Sequence, residues 1–441
     1  MEPDEAVVAH VNYLFFHSTQ SYIHFYLRRF RRTRPLCLTR TPESPLIDPT
    51  VPPALAGDFY QYGQAAARHP LQRQVYGLGL TVRRLLTRMP PRFSDPLLHA
   101  LHRRVVPRLR PEADGTRYLA WAGDILARRK ARLIHAYYGP VGWRMLALKR
   151  RLGVPLVVSF LGDDVAPRLG DWWSWWIASG AEPPDWPARL RELLAGGDLF
   201  LTEGPVLRRR LIDLGCPPER VVLQRIAIPV AEMPFRARAP RPGARPIILF
   251  AGRFAEQKGL VYALEAVRAL RDEGRPFEFR IIGDETLTDG TYASRIYADV
   301  RRHRLGDRVR MLGFLNRRDY VREMERADIF LHPSVTAHDG ASEGGAPTTI
   351  LEAQALGLPV VSTLHCDIPN VTVPDRSALL VPERESGELA RALGWLLDHG
   401  ERWADMGRAG RAHMERYHDA DREAPALEAR YLALLNRPSP S

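Results

Sequence analysis

Residues 247–282 read IILFAGRFAEQKGLVYALEAVRALRDEGRPFEFRII. The apolar run Ile247 to Ala251 is a buried-strand pattern, an apolar-periodic helix follows near Leu260 to Glu273, and Phe277 to Ile282 is again a short apolar strand. Strand, helix and strand in this order make a βαβ unit, whose strands lie parallel. The alternation continues with a helix near Tyr292 to His303, strands at Val309 to Leu312 and Ile329 to His332, a helix from Thr348 to Ala355 and a strand from Pro359 to Thr363. Residues 247–420 therefore predict one open α/β domain.

Upstream the same signature recurs. Ala6 to Phe16 (AVVAHVNYLFF) reads as a strand and Ser21 to Arg32 as an aromatic, arginine-rich helix. Leu133 to Tyr138, Val154 to Phe160, Asp198 to Thr202 and Arg220 to Ile228 are further short strands separated by helix-length segments. Residues 1–228 are thus a second doubly wound parallel sheet, with Tyr60 to Leu126 read as two or three basic helices inserted on it (about 56–127). Residues 229–246 hold five prolines and four arginines without apolar periodicity and read as the linker, and 421–441 as a helix crossing back to the first domain. Two such domains imply a cleft between them, where open α/β sheets gather ligands.

Composition bounds the function. A chain of 441 residues with 45% hydrophobic content excludes disorder as the main state and is too long for one core. Cys37, Cys216 and Cys366 are far apart, which argues against a disulfide scaffold and for a reducing compartment. The acidic start Met1-Glu2-Pro3-Asp4-Glu5 and the lack of a long apolar run point to a cytoplasmic protein. The net charge is +12, and only three of the 63 basic residues are lysine, namely Lys130, Lys149 and Lys258. Ten arginines and one acid, Asp95, fall between Ala66 and Arg110. That density suits either a solvated helix face or an anionic partner such as membrane lipid or a phosphorylated acceptor.

Two loops carry chemistry. Gly252 to Leu260 joins a strand to a helix N-terminus and places Arg253 and Lys258 where they can flank a diphosphate; a plain turn with surface charges is the other reading. The run Ser342-Glu343-Gly344-Gly345-Ala346-Pro347-Thr348-Thr349-Ile350-Leu351-Glu352 opens a second helix whose amides and hydroxyls suit phosphate or sugar oxygens. Glu343 and Glu352 are then ligand-binding carboxylates or merely capping and surface groups. The tract Trp172-Trp173-Ser174-Trp175-Trp176 fits core packing, sugar stacking or a membrane interface. Asp419-Ala420-Asp421 reads as a helix N-cap, and no metal site is expected.

These segments resemble the retaining nucleotide-sugar glycosyltransferases of family four, especially the colanic-acid-type branch of polysaccharide biosynthesis. The resemblance is carried by residues 200–228, LFAGRFAEQKGL (249–260), IIGD (281–284), MLGFL (311–315) and 327–371. It implies the GT-B fold, two facing Rossmann-like domains with the cleft between them. It implies that Arg253 and Lys258 bind the donor diphosphate, that Glu352 holds the ribose and that Glu343 faces the donor sugar. Gly252, Gly283, Gly344, Gly345, Ala346, Thr348 and Thr349 would wrap the donor, and Gly313, Phe314 and Leu315 would receive the base. His135 in LIHAYYG and Asp164 in SFLGDDV match acceptor-side positions, His135 completing the catalytic set with Arg253, Lys258 and Glu343.

Three features depart from that family. Eight residues rather than seven separate Glu343 from Glu352, Leu161 stands where a histidine is usual, and HSTQS replaces the glycine-rich loop after the first strand, leaving His17 and Ser18 as the acceptor-side candidates. The implied activity is metal-independent, cofactor-free transfer of a sugar from a nucleoside-diphosphate donor to a sugar or lipid-linked acceptor hydroxyl. The expected setting is the cytoplasm at the inner face of the membrane, with peripheral contact to anionic lipid and no nucleic acid partner. The alternative is a non-catalytic basic protein of this fold that binds membrane or nucleic acid; a pyridoxal-dependent phosphorylase would need a suitable lysine that this chain hardly offers. On this reading Lys258→Ala costs turnover far more than stability.

Overall fold

The computed structural model describes residues 5–12, 21–39, 58–61, 115–165, 185–283, 291–345 and 347–437. Two compact units divide it: residues 1–202, 208–223 and 424–441 form the first, and 203–207 with 224–423 the second.

In the first unit, seven parallel strands follow the order β3-β2-β1-β4-β5-β6-β7. They are β1 (Ala6–Asn12), β2 (Thr33–Thr39), β3 (Phe59–Gln61), β4 (Leu133–Tyr137), β5 (Leu156–Phe160), β6 (Leu199–Thr202) and β7 (Val221–Leu223). Every residue of β4 and β5 is buried, as parallel strands covered on both faces require. The helices are α1 (Ser21–Leu27), α2 (Gly115–Arg128), α3 (Gly139–Leu152), α4 (Trp186–Gly196) and α5 (Pro205–Asp213). Among the described residues no helix is long and apolar enough to cross a membrane.

Two differences from the sequence expectation stand out here. The predicted helix through Arg32 stops at Leu27, and Thr33–Thr39 is an inner strand that pairs along its whole length with β1. Arg34 and Pro35 near its start disguise the apolar pattern, although LCLT behind them is fully buried. Within the expected helical insertion, Phe59–Gln61 is a strand paired with Cys37 to Thr39. Residues 62–114 of that insertion lie outside the described residues, as do Trp172 to Trp176, His17, Ser18 and Ala346, while its end, from Gly115, is the helix α2.

The second unit has six parallel strands in the order β10-β9-β8-β11-β12-β13. They are β8 (Ile247–Ala251), β9 (Glu278–Ile282), β10 (Val309–Gly313), β11 (Ile329–His332), β12 (Val360–Thr363) and β13 (Ala378–Val381). Its helices are α6 (Leu260–Asp272), α7 (Thr291–Arg302), α8 (Arg317–Arg326), α9 (Thr348–Ala355), α10 (Ile368–Val371), α11 (Ser386–Asp398) and α12 (Trp403–Tyr417), and α13 (Ala420–Leu435) closes the chain's secondary structure. One face of α6 buries Leu260, Ala263, Leu264, Val267 and Leu270 in a core shared with Phe250, Phe277, Phe279 and Leu393. The strand order reverses between β8 and β11, so the loops leaving their carboxyl ends sit side by side. Residues 229–246 are mostly irregular but fixed on this unit: Arg238 is buried and donates to the Met324 carbonyl at 3.1 Å, and Arg241 pairs with Asp328 at 2.7 Å.

Asp419 caps α13, its carboxylate accepting from the Asp421 amide at 3.1 Å. From Ala424 onward this helix belongs to the first unit. There the buried Glu428 carboxylate accepts from the backbone amides of Arg31, Arg32 and Thr33 and from the Thr33 hydroxyl at 2.8–3.0 Å. Those amides form the turn that launches β2. Removing the acceptor strands the buried Thr33 amide and hydroxyl and two part-buried amides, so Glu428→Ala is expected to cost about 3 kcal/mol. Urea unfolding measures it, and a loss below about 1 kcal/mol would show that water replaces the carboxylate without penalty.

Candidate donor site

At the carboxyl end of β8 the chain turns through Gly252 and the half-buried Arg253 into a 3₁₀ turn at Glu256–Lys258, then enters α6 at Gly259. Gly259 has φ 67°, and a Cβ there would collide with the Pro333 carbonyl on the neighbouring loop after β11. Gly283, after β9, has φ 136° and presses against the Gly252 carbonyl in the same way. Glycine at both positions lets three backbone segments close on one spot.

On that spot Lys258 Nζ meets Glu343 Oε2 at 2.6 Å, with the two side chains only 13% and 7% exposed. Ser334 Oγ donates to Glu343 Oε1 at 3.0 Å and stands 3.0 Å from His332 Nδ1. Since that hydroxyl's proton goes to Glu343, His332 must donate through Nδ1 and keep the lone pair on Nε2. Burial, helped by Lys258, pulls His332 down to about 3, so the ring is neutral. Its Nε2 has no hydrogen-bond partner among the described residues and lies 3.5 Å from where a Cβ on Gly252 would stand. The Glu343 amide donates to His365 Nε2 at 3.1 Å, His365 Nδ1 donates to Glu383 at 2.6 Å, and Glu383 accepts from the Thr336 amide at 2.7 Å. Burial alone would raise the Glu343 pKa, yet Lys258 beside it holds it at about 2.

The loop continues through Gly344 (φ 73°) and the buried Gly345 to α9. Pro347 gives that helix no side-chain cap, and the Thr349 hydroxyl is buried with no hydrogen-bond partner among the described residues. A helix start of this kind offers amides and a hydroxyl to an anion or a sugar oxygen. Within α9, Glu352 is 4% exposed and is bonded by Arg317 and Tyr320 of α8. Before α8, Gly313 takes φ 69° and Phe314 is 42% exposed, beside half-buried Leu315.

The pair expected on the acceptor side, His135 and Asp164, lies in the interior of the first unit. His135 is 1% exposed, with Nδ1 bonded to the Tyr431 hydroxyl at 2.6 Å and Nε2 to Ser159 at 2.8 Å. Burial depresses its pKa well below the usual value, with His10 adding to the effect. Both ring nitrogens are thus bonded within the first unit, to Tyr431 and Ser159. Asp164 is fully buried and accepts from the Gly139 amide at 2.8 Å, so its carboxylate caps the start of α3, where the preceding Tyr138 has no side-chain cap.

Comparison with known proteins is consistent with this geometry. Residues 234–413 match the family described as glycosyl transferases group 1, and residues 62–225 match the glycosyl transferase 4-like domain. The 2-deoxystreptamine glucosyltransferase of Streptomyces kanamyceticus is 31% identical over 336 residues, 70% of this chain and 81% of that one. The chain belongs to the group 1 glycosyltransferases. The colanic acid biosynthesis glycosyltransferase WcaL of Escherichia coli K12 is 33% identical over 278 residues, 62% of this chain, and the match spans 63% of WcaL. The crystal structure of Anabaena Alr3699/HepE with UDP-glucose superposes at TM-score 0.68 over 97% of this chain and 99% of that one, at 14% identity. The fold of this chain is accordingly GT-B.

Sequence reading named Lys258, Glu343 and Glu352 but missed what holds them: His332, Ser334, His365 and Glu383 around the first pair, Arg317 and Tyr320 on the third. His332 and Ser334, in the HPS triplet, and His365 stood within the segment 327–371, and the others had no local signal. In this chain Lys258 also compensates a buried carboxylate, so the single Lys258→Ala change is expected to cost stability as well as turnover. Lys258→Met is expected to destabilise by about 3–5 kcal/mol, and Lys258→Met with Glu343→Gln to recover most of that. Equal unfolding midpoints for the two variants in urea would refute the burial of an uncompensated charge.

The same pair sets an acid limit. Glu343 has its folded pKa lowered from 4.5 to about 2, so its contribution is present above pH 4.5 and fades as the pH falls from there toward 2. The stability difference between wild type and Glu343→Gln should therefore shrink between pH 5 and 2.5, and a difference that grows on acidification would contradict the assignment.

Proposed function

We propose that this chain moves a glycosyl group from a nucleoside-diphosphate sugar to an acceptor hydroxyl, with retention at the anomeric carbon and without a metal ion. The observation that carries the reading is Lys258, held by buried Glu343 at the mouth of α6, beside an α9 start that lacks a side-chain cap. An ammonium has three protons, and Glu343 takes one; the others are directed to the diphosphate. Arg253 and the amides and hydroxyls of Thr348 and Thr349 add to the positive potential in which charge on the departing nucleotide is stabilised.

Glu343 has Lys258 on one oxygen and Ser334 on the other, so it serves better as a positioning group than as a nucleophile. The reaction then runs on one face. The bond from the anomeric carbon to the phosphate oxygen breaks, the bond to the acceptor oxygen forms, and the acceptor proton passes to the leaving phosphate. Glu352 holds the ribose and the segment Gly313 to Leu315 receives the base. The UDP-glucose held by Alr3699/HepE supports a nucleoside-diphosphate sugar as donor, and the name of WcaL supports a growing polysaccharide as acceptor. A lipid-linked acceptor at the inner membrane face would place the arginines between Ala66 and Arg110 against anionic headgroups.

The test is thermal unfolding against UDP, GDP, ADP and their sugar conjugates without added metal. One base family is expected to raise the midpoint, by about 2.7 kcal/mol of stabilisation at a hundred times its Kd. No rise with any of them would overturn the proposal.

A further inference from the structure

Glu352 does not present a bare carboxylate. Its Oε1 accepts from Arg317 Nη1, its Oε2 accepts from the Tyr320 hydroxyl at 2.5 Å, and its side chain is 5% exposed. Both partners lie in the first turn of α8, with the Arg317 guanidinium 5.5 Å above the Tyr320 ring. Asn316 fixes that turn by accepting from the Asp319 amide at 3.0 Å. The carboxylate is thereby locked in rotation by one donor on each oxygen. A carboxylate has about four acceptor positions, so each oxygen retains room for a second donor.

Resting on the reading of Glu352 as the ribose-binding group, we propose that Arg317 and Tyr320 are its positioning residues, orienting the carboxylate so that its remaining lone pairs face the vicinal 2′- and 3′-hydroxyls of the donor ribose. The placement favours this over a plain tie between two helices. Arg317 and Tyr320 come shortly after Gly313 to Leu315, the segment assigned to the base, so one short stretch of chain would set base and ribose together. Two hydroxyls on adjacent carbons need both oxygens at a defined angle, and a carboxylate free to rotate would satisfy them only part of the time. An unbridled Glu352 would still attract a sugar hydroxyl, but it would distinguish ribose from deoxyribose poorly.

The experiment measures the dissociation constants of UDP, GDP and ADP and of their 2′-deoxy and 3′-deoxy counterparts, for wild type, Tyr320→Phe, Arg317→Gln and Arg317→Lys. Wild type is expected to prefer the ribonucleotide of its base family. Tyr320→Phe removes one oxygen and should weaken the ribonucleotide about tenfold while leaving the deoxy forms nearly unchanged, so the preference collapses toward one. In transfer assays the donor KM should rise with kcat at saturating donor little altered. Arg317→Gln should behave likewise, and Arg317→Lys should recover part of the preference. A merely structural tie would weaken ribo and deoxy forms equally, so an unchanged preference in both Tyr320→Phe and Arg317→Gln overturns the proposal while leaving the donor site standing. A wild type that binds nucleotides with no ribose preference overturns it too, together with the role of Glu352. Binding of none of the nucleotides would bring down the donor site itself.

Discussion

Almost everything in the second unit that bears on chemistry is arranged around one buried ion pair. Lys258 and Glu343 come from loops 85 residues apart and meet with little access to water. Taking two charges out of water is costly unless their remaining hydrogen-bonding capacity is met. Ser334 meets it on the carboxylate, His332 orients Ser334, and His365 fixes the backbone that carries Glu343 while Glu383 fixes His365. Gly259 and Gly283 are the backbone half of the same arrangement, since side chains there would hold the loops apart. The turn into α6 is therefore rigid where the proposed diphosphate lies, and a preorganised cation needs no reorganisation when charge develops.

The two carboxylates of the site are served by different cations, which bears on the scarcity of lysine. At Glu343 a compact ammonium bonds one oxygen and, on the proposed reading, keeps its other protons for the diphosphate. At Glu352 a planar guanidinium over an aromatic ring helps lock the orientation of the group. A point charge suits the first task and a flat fork the second, so the residues are not interchangeable. In a chain where arginine is the usual cation, Lys258 stands where geometry asks for the smaller head.

How much of this was legible followed from how local each signal was. Strands β8 and β11 read from sequence to the residue, because buried parallel strands are continuous apolar runs. Helix α8 went unread: of its ten residues only Met324 is buried, so almost no apolar periodicity exists to find. Strand β13 and helices α11 and α12 were missed as well, beyond the motifs on which attention settled. Lys258, Glu343 and Glu352 could be named from spacing and resemblance, whereas Arg317 and Tyr320 matter only because α8 packs on α9 more than thirty residues later. For His135 and Asp164 the surroundings were what the pattern could not read. Pattern put them on and after strands of the first sheet, but could not tell that Tyr431, Ser159 and the start of α3 would consume their polar atoms.

The grip of Glu428 on the turn before β2 links residues 397 apart, and the second unit lies between them in the chain. A ribosome adding about 5–20 residues per second takes roughly 20–80 s to cover that distance. During that time the amides of Arg31, Arg32 and Thr33 have been made but their acceptor has not. The second unit, whose residues 224–423 emerge as one run, can reach its native contacts first. The first unit begins earlier and is finished later, so the nascent protein spends its most exposed minute with β2 already synthesised and its closing helix still inside the ribosome. Until Glu428 is made, the donors of the turn before β2 lack their acceptor, and shielding them is work a chaperone would do for this chain.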